Sequence, residues 1–418
     1  MGTDLLSAIT GAVGALLKVF SVYFIFIAFF AFLRERDHKT APPKTRFAVL
    51  IPARNEEAAI PGIVKSLKEQ SYPPELYDIY VIPNNCTDGT EEAARAAGAK
   101  IIRCMRPVRY KGGALSQTFR QLLSSERYDA FCVFDADNIA SRDFLSEMNN
   151  AFAAGALACK GRRVARNPYE SVTADCYAIY FELFNRFFNR ARARCGLSAK
   201  IDGTGFAVSR EAIRAIGGWK TETITEDAEL SAQLALAGIR VEWAPRAVTY
   251  DEQPNSPAAS VAQRMRWCSG LIDVAKLRLP VLFARRAAAR PSAKNAANWR
   301  RLHFDSFMIL SSPMIQLISL IPAILSPLFD LFAGELKILP AVAVLSAAYV
   351  GVSVFAAALS VAAGHGLRRM ARSALAFPLF MASWLPILVA SFFHRTSSWA
   401  EMRGAPVRTR ERSAGYIR

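Results

Sequence analysis

The sequence predicts an α/β domain with a mostly parallel sheet, set between transmembrane helices. Short strand-like runs alternate with helical patterns between residues 47 and 272. One long apolar run precedes this region and three others follow it. The 418-residue chain is 52% hydrophobic and 21% charged, which is too apolar for a disordered chain and more apolar than a soluble protein usually is.

The first apolar run extends from Leu5 to Leu33, and its only charged residue is Lys18. This run exceeds the roughly 20 residues that cross a bilayer as a helix, so we predict a transmembrane anchor over residues 1–36. A cleaved signal peptide is the alternative. The run is too long for one, and basic residues follow it rather than precede it.

Residues 45–272 are predicted to form the α/β domain. Strands are predicted at FAVLI (47–51), YDIYVI (77–82) and AFCVF (130–134), and helices at 60–70, 91–97 and 114–124. Helices between consecutive strands are typical of crossover connections in a parallel sheet. The ligand crevice of such a sheet lies at the carboxyl ends of its strands, so functional residues are expected there.

The remainder of the chain is predicted to be membrane-bound. We expect interfacial helices at 273–303, about three transmembrane helices within 304–395, and a basic tail at 396–418. Basic residues flank the apolar runs, which predicts an integral protein of the inner or plasma membrane with a cytosolic catalytic domain. One anchor plus three crossings would place the basic tail outside the cell, so the number of full crossings stays open.

Charge and cysteine content exclude several classes of protein. The net charge of +17 is concentrated at the membrane borders rather than interleaved with aromatic residues, which argues against nucleic-acid binding. Seven cysteines without a CxxC pair, with only four histidines, make a zinc site improbable. The apolar runs contain few ionisable residues, which argues against a transporter.

Polar residues follow each predicted strand. Glu56 follows the first strand, and Asn84 and Asp88 follow the second, although helix caps and turns would also explain these residues. Asp135 and Asp137 follow the third strand directly. Two carboxylates this close repel each other unless a cation neutralises them, so we predict Mg²⁺ or Mn²⁺ here, with an exposed acidic loop as the alternative.

Two later segments also carry candidate residues. Glu226 and Asp227 open a helix, where they either complement its N-terminus or include a general base. Gln263, Arg266 and Trp267 share one helical face through their i, i+3 and i+4 spacing. On that face Arg266 would bind a phosphate and Trp267 would stack on a sugar, or both would anchor the helix at the bilayer.

Seven segments in order, IPARNEE, NNCTDGT, KGGAL, DADN, GTGF, TED and QRMRW, resemble membrane-embedded family 2 glycosyltransferases of the processive polysaccharide-synthase type. That group includes cellulose, chitin and hyaluronan synthases. The resemblance implies a GT-A fold, a nucleotide-sugar donor that is usually a UDP-sugar, and inversion at the anomeric carbon. It also implies a growing polysaccharide coupled to translocation, whereas the alternative is transfer of a single sugar to a lipid acceptor.

The resemblance further implies a role for each candidate residue. Asp227 would be the catalytic base, with Glu226 beside it, and Asp137 would bind the metal. The donor would contact Glu56, Asn84, Asp88, Lys111, Asp135, Gln263 and Arg266, and the acceptor would contact Gly203, Thr204 and Trp267. The expected partners are therefore a nucleotide-sugar, a polysaccharide or lipid acceptor, and membrane lipids, but no nucleic acid.

Overall fold

The computed structural model describes residues 2–284, 296–332 and 338–394. Its strands are β1 (Phe47–Ala53), β2 (Tyr77–Pro83), β3 (Lys100–Ile101), β4 (Ala130–Val133), β5 (Ile139–Ala140), β6 (Ala158–Ala165), β7 (Phe206–Ser209) and β8 (Val241–Asp251). Its helices up to the end of the α/β region are α1 (Gly2–Phe29), α2 (Ile60–Lys68), α3 (Thr90–Ala96), α4 (Lys111–Leu122), α5 (Phe144–Ala153), α6 (Val172–Leu183), α7 (Ala191–Arg194), α8 (Arg210–Ala215) and α9 (Glu226–Leu236). The later helices are α10 (Pro257–Phe283), α11 (Ala296–Ile318), α12 (Leu320–Phe332), α13 (Ile338–Ala362), α14 (Leu367–Ala382) and α15 (Trp384–Phe393).

Within the described residues, the eight strands form one sheet in the order β3-β2-β1-β4-β7-β6-β8-β5. Strand β1 pairs in parallel with β2 on one side and β4 on the other, and β6 pairs in parallel with β8. Strand β7 is antiparallel to both of its neighbours. The predicted fold class is therefore confirmed. Because β1, β2 and β4 are parallel, the loops that follow them leave the same edge of the sheet.

Both faces of the sheet are covered. Val49 and Ile51 of β1 belong to a core cluster that includes residues of α2 and α5. Leu50, on the opposite face of β1, belongs to a second cluster that includes Phe119 of α4 and Leu230 of α9. Alternate residues of a strand point to opposite faces, so the unbroken apolar sequence of β1 is explained by burial on both sides.

Among the described residues, four helical segments are long and apolar enough to cross a membrane, namely Ala8–Phe32, Asn298–Leu328, Ile338–Ala362 and Leu367–Phe393. The first lies within the predicted anchor at 1–36, and the other three lie within the region predicted at 304–395, except that the second begins at Asn298. Their orientation across a membrane stays a prediction.

The boundary predicted between residues 272 and 273 lies inside α10, which continues as one helix to Phe283. The location of residues 273–303 at the membrane interface stays a prediction. It now concerns the end of α10 and the start of α11. Residues 285–295 of this segment, and the basic tail at 396–418, lie outside the described residues.

Helices of the membrane half, which we define as α1 and α11–α15, pack directly on the α/β domain. Arg264 of α10 is buried and donates hydrogen bonds to the carbonyl of Phe380 (3.1 Å) and to Ser383 Oγ (2.7 Å). Buried Arg192 of α7 pairs with buried Asp305 of α11, which also accepts a hydrogen bond from the Tyr23 hydroxyl of α1 at 2.6 Å. These polar contacts fix the positions of the membrane helices relative to the sheet.

Candidate active site

Lys111, the first residue of α4, lies at the centre of the candidate site. Its Nζ is 2.6 Å from Asp135 Oδ1, 3.3 Å from Glu226 Oε1 and 2.5 Å from the carbonyl oxygen of Gly203. Burial lowers the pKa of Lys111, but the neighbouring carboxylates of Asp135 and Glu226 outweigh burial and raise it above its usual value. The ammonium therefore stays charged and joins three separate loops.

Gly203 lies between the carboxylate of Asp135, predicted to contact the donor, and that of Asp227, the predicted base. Its φ of +90° lies in the left-handed region, and a Cβ built there would be 3.8 Å from both Asp135 Oδ2 and Asp227 Oδ2. Thr204, the next residue, accepts a hydrogen bond from the Asp135 backbone N–H at 3.1 Å. The backbone of the GTGF segment thus passes between the two carboxylates. Glycine adopts this positive φ and approaches them closely because it has no side chain.

Glu226 and Asp227 form the first turn of α9. Burial raises the pKa of Asp227, while the nearby charge of Lys200 and a hydrogen bond from the Ala228 N–H lower it. Burial also raises the pKa of Glu226, against the opposing effect of Lys111. Both carboxyl groups therefore hold a proton more tightly than they would in water.

Glu229, one turn further along α9, supports this segment. It is fully buried and accepts hydrogen bonds from the backbone N–H groups of Glu222 (2.8 Å) and Thr223 (3.0 Å). Arg278 of α10 lies 2.5 Å from its other oxygen. Glu229 thus holds the loop before α9 through the N–H groups of residues 222 and 223, while the Asp227 side chain lies beside Gly203.

The predicted face of α10 is directed to the same region. Burial lowers the pKa of Arg266, and the negative charges of Asp135, Glu226 and Asp227 oppose that shift, which places the guanidinium within electrostatic reach of all three. Arg266 Nε and Gln263 Oε1 are buried atoms without a hydrogen-bond partner in the described part of the chain. Buried polar atoms are nearly always paired, so these two atoms indicate a ligand.

Trp267 lies on the same face but is surrounded by protein groups. Its indole stacks on Trp384 of α15, with ring centroids 6.1 Å apart and planes 20° apart. The edge of Tyr177 and the guanidinium of Arg163 also contact it. Trp267 therefore connects the site to the membrane half.

Asp137 lies in a second acidic group that the sequence only partly predicts. Burial, with the charges of Asp251 and Asp135, raises the pKa of Asp137, and Arg163 opposes this rise. Arg163 also donates to Asp251 (Nε, 2.8 Å) and to the carbonyl of Asp202 (3.0 Å). Asp251 and Arg163 were not predicted as site residues. The position of Asp251 at the carboxyl end of β8 was the available signal.

The residues at the ends of β1 and β2 form a separate hydrogen-bonded group. Asp88 accepts hydrogen bonds from Thr90 and from the Glu57 N–H; these outweigh burial and lower its pKa. The Glu56 N–H donates to Thr90 Oγ1 at 2.8 Å. Asn84 is buried and exchanges two hydrogen bonds with the backbone of Val108 (2.9 and 3.2 Å), so its amide supports the loop before α4. Donor contacts by these residues stay predictions.

The residues around Asp137 fit a divalent cation. Asp137 is buried beside Asp251 and Asp135, whose charges are partly offset by Arg163 and Lys111, and carboxylate oxygens of this kind suit Mg²⁺ or Mn²⁺. Among the described residues, no three His, Cys, Asp or Glu side chains form a complete metal site. Magnesium commonly combines one or two carboxylates with phosphate oxygens of a substrate, and Asp137 would supply a carboxylate of this kind.

The sheet, with the carboxylates at its strand ends, has the arrangement of a GT-A-type glycosyltransferase fold. Residues 42–270 match the family model described as "Glycosyltransferase like family 2". Because this match covers more than half of the chain, the protein belongs to that family.

Two curated relatives differ in what their names say they make. The chain is 28% identical over 226 residues to a beta-monoglucosyldiacylglycerol synthase of Nostoc sp., covering 53% of this chain and 48% of the relative. It is 26% identical over 226 residues to a poly-beta-1,6-N-acetyl-D-glucosamine synthase of Staphylococcus aureus, covering 53% of each. The chain thus matches only about half the length of these relatives.

One solved structure resembles nearly the whole chain. It is the mannosyltransferase PcManGT from Pyrobaculum calidifontis, solved in complex with GDP-Man and Mn²⁺. The TM-score is 0.60 at 19% sequence identity, covering 93% of this chain and 99% of that one. This likeness establishes the fold and includes the helices outside the α/β domain.

Proposed function

We propose that this protein transfers a sugar from a nucleoside diphosphate sugar, such as a UDP-sugar, to an acceptor hydroxyl, with inversion at the anomeric carbon. The grouping of Asp227 and Asp135 around Gly203, with Lys111 between Asp135 and Glu226, carries the proposal. The reaction removes a proton from the acceptor and builds negative charge on a departing diphosphate. The carboxylate of Asp227, whose pKa is raised, and the guanidinium of Arg266, whose buried Nε has no partner among the described residues, match those two requirements.

In this mechanism Asp227 takes the proton of the acceptor hydroxyl. The hydroxyl oxygen then forms a bond to the anomeric carbon on the face opposite the diphosphate. The bond from that carbon to the phosphate oxygen breaks, and the nucleoside diphosphate leaves with the bonding electrons. Arg266 and Lys111 offset its charge.

Asp137 and donor phosphate oxygens would hold Mg²⁺ or Mn²⁺, which would neutralise charge on the diphosphate. Excess chelator should therefore stop transfer, and Asp137→Ala should do the same. Glu92→Ala, which removes an exposed carboxylate of α3, is the matched control and should remain active. Full transfer by Asp137→Ala, or in excess chelator, would contradict the metal assignment.

For the acceptor we propose a membrane lipid that receives one sugar. Trp267, the residue expected to stack on an acceptor sugar, instead stacks on Trp384 within the apolar segment Leu367–Phe393. This packing brings the acceptor end of the site against helices that would face lipid. The name of the Nostoc relative supports a glycolipid product.

A growing polysaccharide, moved across the membrane as it is made, is the second candidate. The unpaired Gln263 Oε1, one turn from Trp267, favours it, because a polar atom beside an aromatic ring suits a sugar. The name of the Staphylococcus aureus relative supports the same candidate.

Product analysis separates the two candidates. Purified full-length protein is incubated with radiolabelled nucleotide-sugars, Mg²⁺ or Mn²⁺ and a membrane lipid extract, and the label is partitioned into organic solvent. A discrete organic-soluble glycolipid is expected. A high-mass, water-soluble smear that glycoside hydrolases digest would replace the lipid proposal with the polymer. Failure of every nucleotide-sugar to donate would overturn the proposed function itself.

A further inference from the structure

The apolar segment Leu367–Phe393, which comprises α14 and α15, contacts the α/β domain where it begins. The Tyr169 hydroxyl forms a hydrogen bond with His365 Nδ1 at 2.9 Å, just before the segment. Ser373 Oγ donates to Asp175 Oδ2 at 2.7 Å, and Asp175 is buried in α6. Because Tyr169 and Asp175 belong to the α/β domain, the segment starts at the surface of that domain.

The other end of the segment contacts α10. Ser391 Oγ donates to the carbonyl of Met265 at 3.2 Å. The ammonium of Lys276, an exposed residue, lies 5.0 Å from the ring centroid of Phe392. Helix α10 packs on α9 of the α/β domain through a shared apolar cluster. Both ends of the segment are therefore held at the domain.

These contacts conflict with a full crossing of the bilayer. The segment has 27 residues, which make about 40 Å of straight helix, more than the roughly 30 Å of hydrocarbon in a bilayer. A crossing segment would place Phe392 on the opposite side of the membrane from Tyr169. Lys276, which contacts Phe392, would then lie in or beyond the hydrocarbon, where a lysine is costly.

We propose that Leu367–Phe393 lies along the bilayer surface on the side of the α/β domain and does not cross. The exposed side chains of Arg368 and Arg372, in the first turns of α14, reach the lipid headgroups. Leu375 and Leu379, which are 58% and 64% exposed, contact the acyl chains of the adjacent leaflet. This proposal concerns membrane topology and does not depend on the proposed function.

The order of the other helices agrees with this topology. Helix α13 ends just before His365, which is at the domain, so its first residue, Ile338, lies on the opposite side of the membrane. The chain therefore crosses once between α11, which packs on α10, and α13. It returns through α13 and stays on that side. The sequence that follows contains Arg403, Arg408 and Arg410, and basic residues of this kind favour the cytosolic side, which is predicted for the α/β domain.

Side-specific labelling of cysteines tests the proposal in the full-length protein. Single substitutions are made after α15 (His394→Cys), in the α/β domain (Lys65→Cys) and at the start of α13 (Ile338→Cys). A membrane-impermeant maleimide is added to intact cells or to inside-out vesicles. Peptide mapping by mass spectrometry then distinguishes each new cysteine from the seven native ones.

His394→Cys and Lys65→Cys should be modified in the same preparation and lose modification in the other. Ile338→Cys, the reference for the opposite side, should show the reverse. Modification of His394→Cys in the preparation that labels Ile338→Cys would overturn the proposal.

Depth in the bilayer supplies a second measurement, with Val350→Cys in α13 as the matched control for Leu379→Cys. Both positions are exposed and lie near the middle of their segments. A fluorescent dye on each cysteine is quenched by lipids that carry a nitroxide either near the headgroup or at the end of an acyl chain, with the labelled wild-type protein as background. The headgroup nitroxide should quench Leu379→Cys at least about twofold more than the deep one, because the residue stays within one leaflet. Val350→Cys should show the opposite preference, and the same preference at Leu379→Cys would overturn the proposal.

Discussion

Asp227 has the environment that a general base requires. Its carboxyl group is half-buried at the start of α9, and burial raises its pKa while Lys200 limits the rise. The raised pKa increases its affinity for the acceptor proton, and the deprotonated form still predominates near neutral pH only if the rise is moderate. Burial and the charge of Lys200 therefore set the pKa of Asp227 by opposing each other.

This environment predicts how transfer depends on pH. A base acts only when it is ionised, so transfer should decline as the pH falls through the raised pKa of Asp227. That decline should occur above about 3.9, the value for an unperturbed aspartate. The measurement is kcat/KM over a pH series, with circular dichroism to exclude unfolding. If kcat/KM declined only around the unperturbed pKa of about 3.9, the assignment of Asp227 as the base would be contradicted.

A second prediction concerns Gly203. Gly203→Ala would place a methyl group 3.8 Å from the Asp135 and Asp227 carboxylates, in the space proposed for the reacting groups. Gly218→Ala is the matched control, because Gly218 also has a positive φ (+97°) but nothing within 4 Å. Both substitutions should cost about 1–2 kcal/mol of stability through backbone strain.

Only Gly203→Ala should also reduce transfer, by at least tenfold, when the two folded variants are compared. The comparison requires thermal unfolding and initial rates for each variant. Equal rates in the two variants would show that the backbone at Gly203 does not border the reacting groups.

The site residues divide into those that sequence can predict and those that it cannot. Asp135 and Asp227 stand at element boundaries that periodicity reveals, whereas Lys111 follows from the resemblance of the KGGAL segment, and the structure groups all three. Arg163 and Asp251 are 88 residues apart and pair only because β6 and β8 are neighbours. A single sequence carries no signal for such pairing.

At the scale of elements, the parallel half of the sheet was predictable and the rest was not. Strands β1 and β4 are continuous apolar runs, and β2 is apolar except for Asp78. Strand β6 has the sequence ACKGRRVA, which reads as a charged loop. It is nonetheless largely buried, because Lys160 pairs with Asp202 at 3.0 Å and Arg163 with Asp251. Partners distant in sequence neutralise these charges, which would otherwise prevent the residues of β6 from being buried in a strand.

Gly270 allows α10 to pack against the segment before Asp227. A Cβ at this position would lie 2.7 Å from Thr225 Oγ1 and 2.8 Å from Ile224 Cγ2. Gly270→Ala should therefore lower the melting temperature and reduce transfer, although alanine favours a helix by about 1 kcal/mol. The measurements are thermal unfolding in detergent and initial rates.

Gly351→Ala is the matched control, because Gly351 lies in α13 with nothing within 4 Å. Its stability should be unchanged or slightly raised, with normal transfer. A Gly270→Ala protein as stable and as active as this control would show that α10 does not position the Asp227 segment.

At the scale of the whole molecule, the pair of Arg192 and Asp305 joins the α/β domain to α11. Both residues are almost completely buried. Removing one partner of a buried ion pair leaves an uncompensated charge, so Arg192→Met should cost about 3–5 kcal/mol. The double variant Arg192→Met/Asp305→Asn should recover much of that loss.

Arg246→Met, which removes an exposed arginine that pairs with the partly buried Glu147, is the control and should cost no more than about 1 kcal/mol. Thermal unfolding of the four proteins in detergent measures these differences. If Arg192→Met were as stable as Arg246→Met, the pair would not hold the domain against the membrane helices.

The central claim is that Asp227 is the base in a metal-assisted transfer from a nucleotide-sugar, and Asp227→Asn tests it most directly. Asparagine keeps the shape of the side chain and can still accept the Ala228 N–H, but it cannot take the acceptor proton. Donor affinity and melting temperature should match the wild type, while the transfer rate falls by about 10²- to 10⁴-fold. Wild-type transfer by a folded, donor-binding Asp227→Asn protein would contradict the claim.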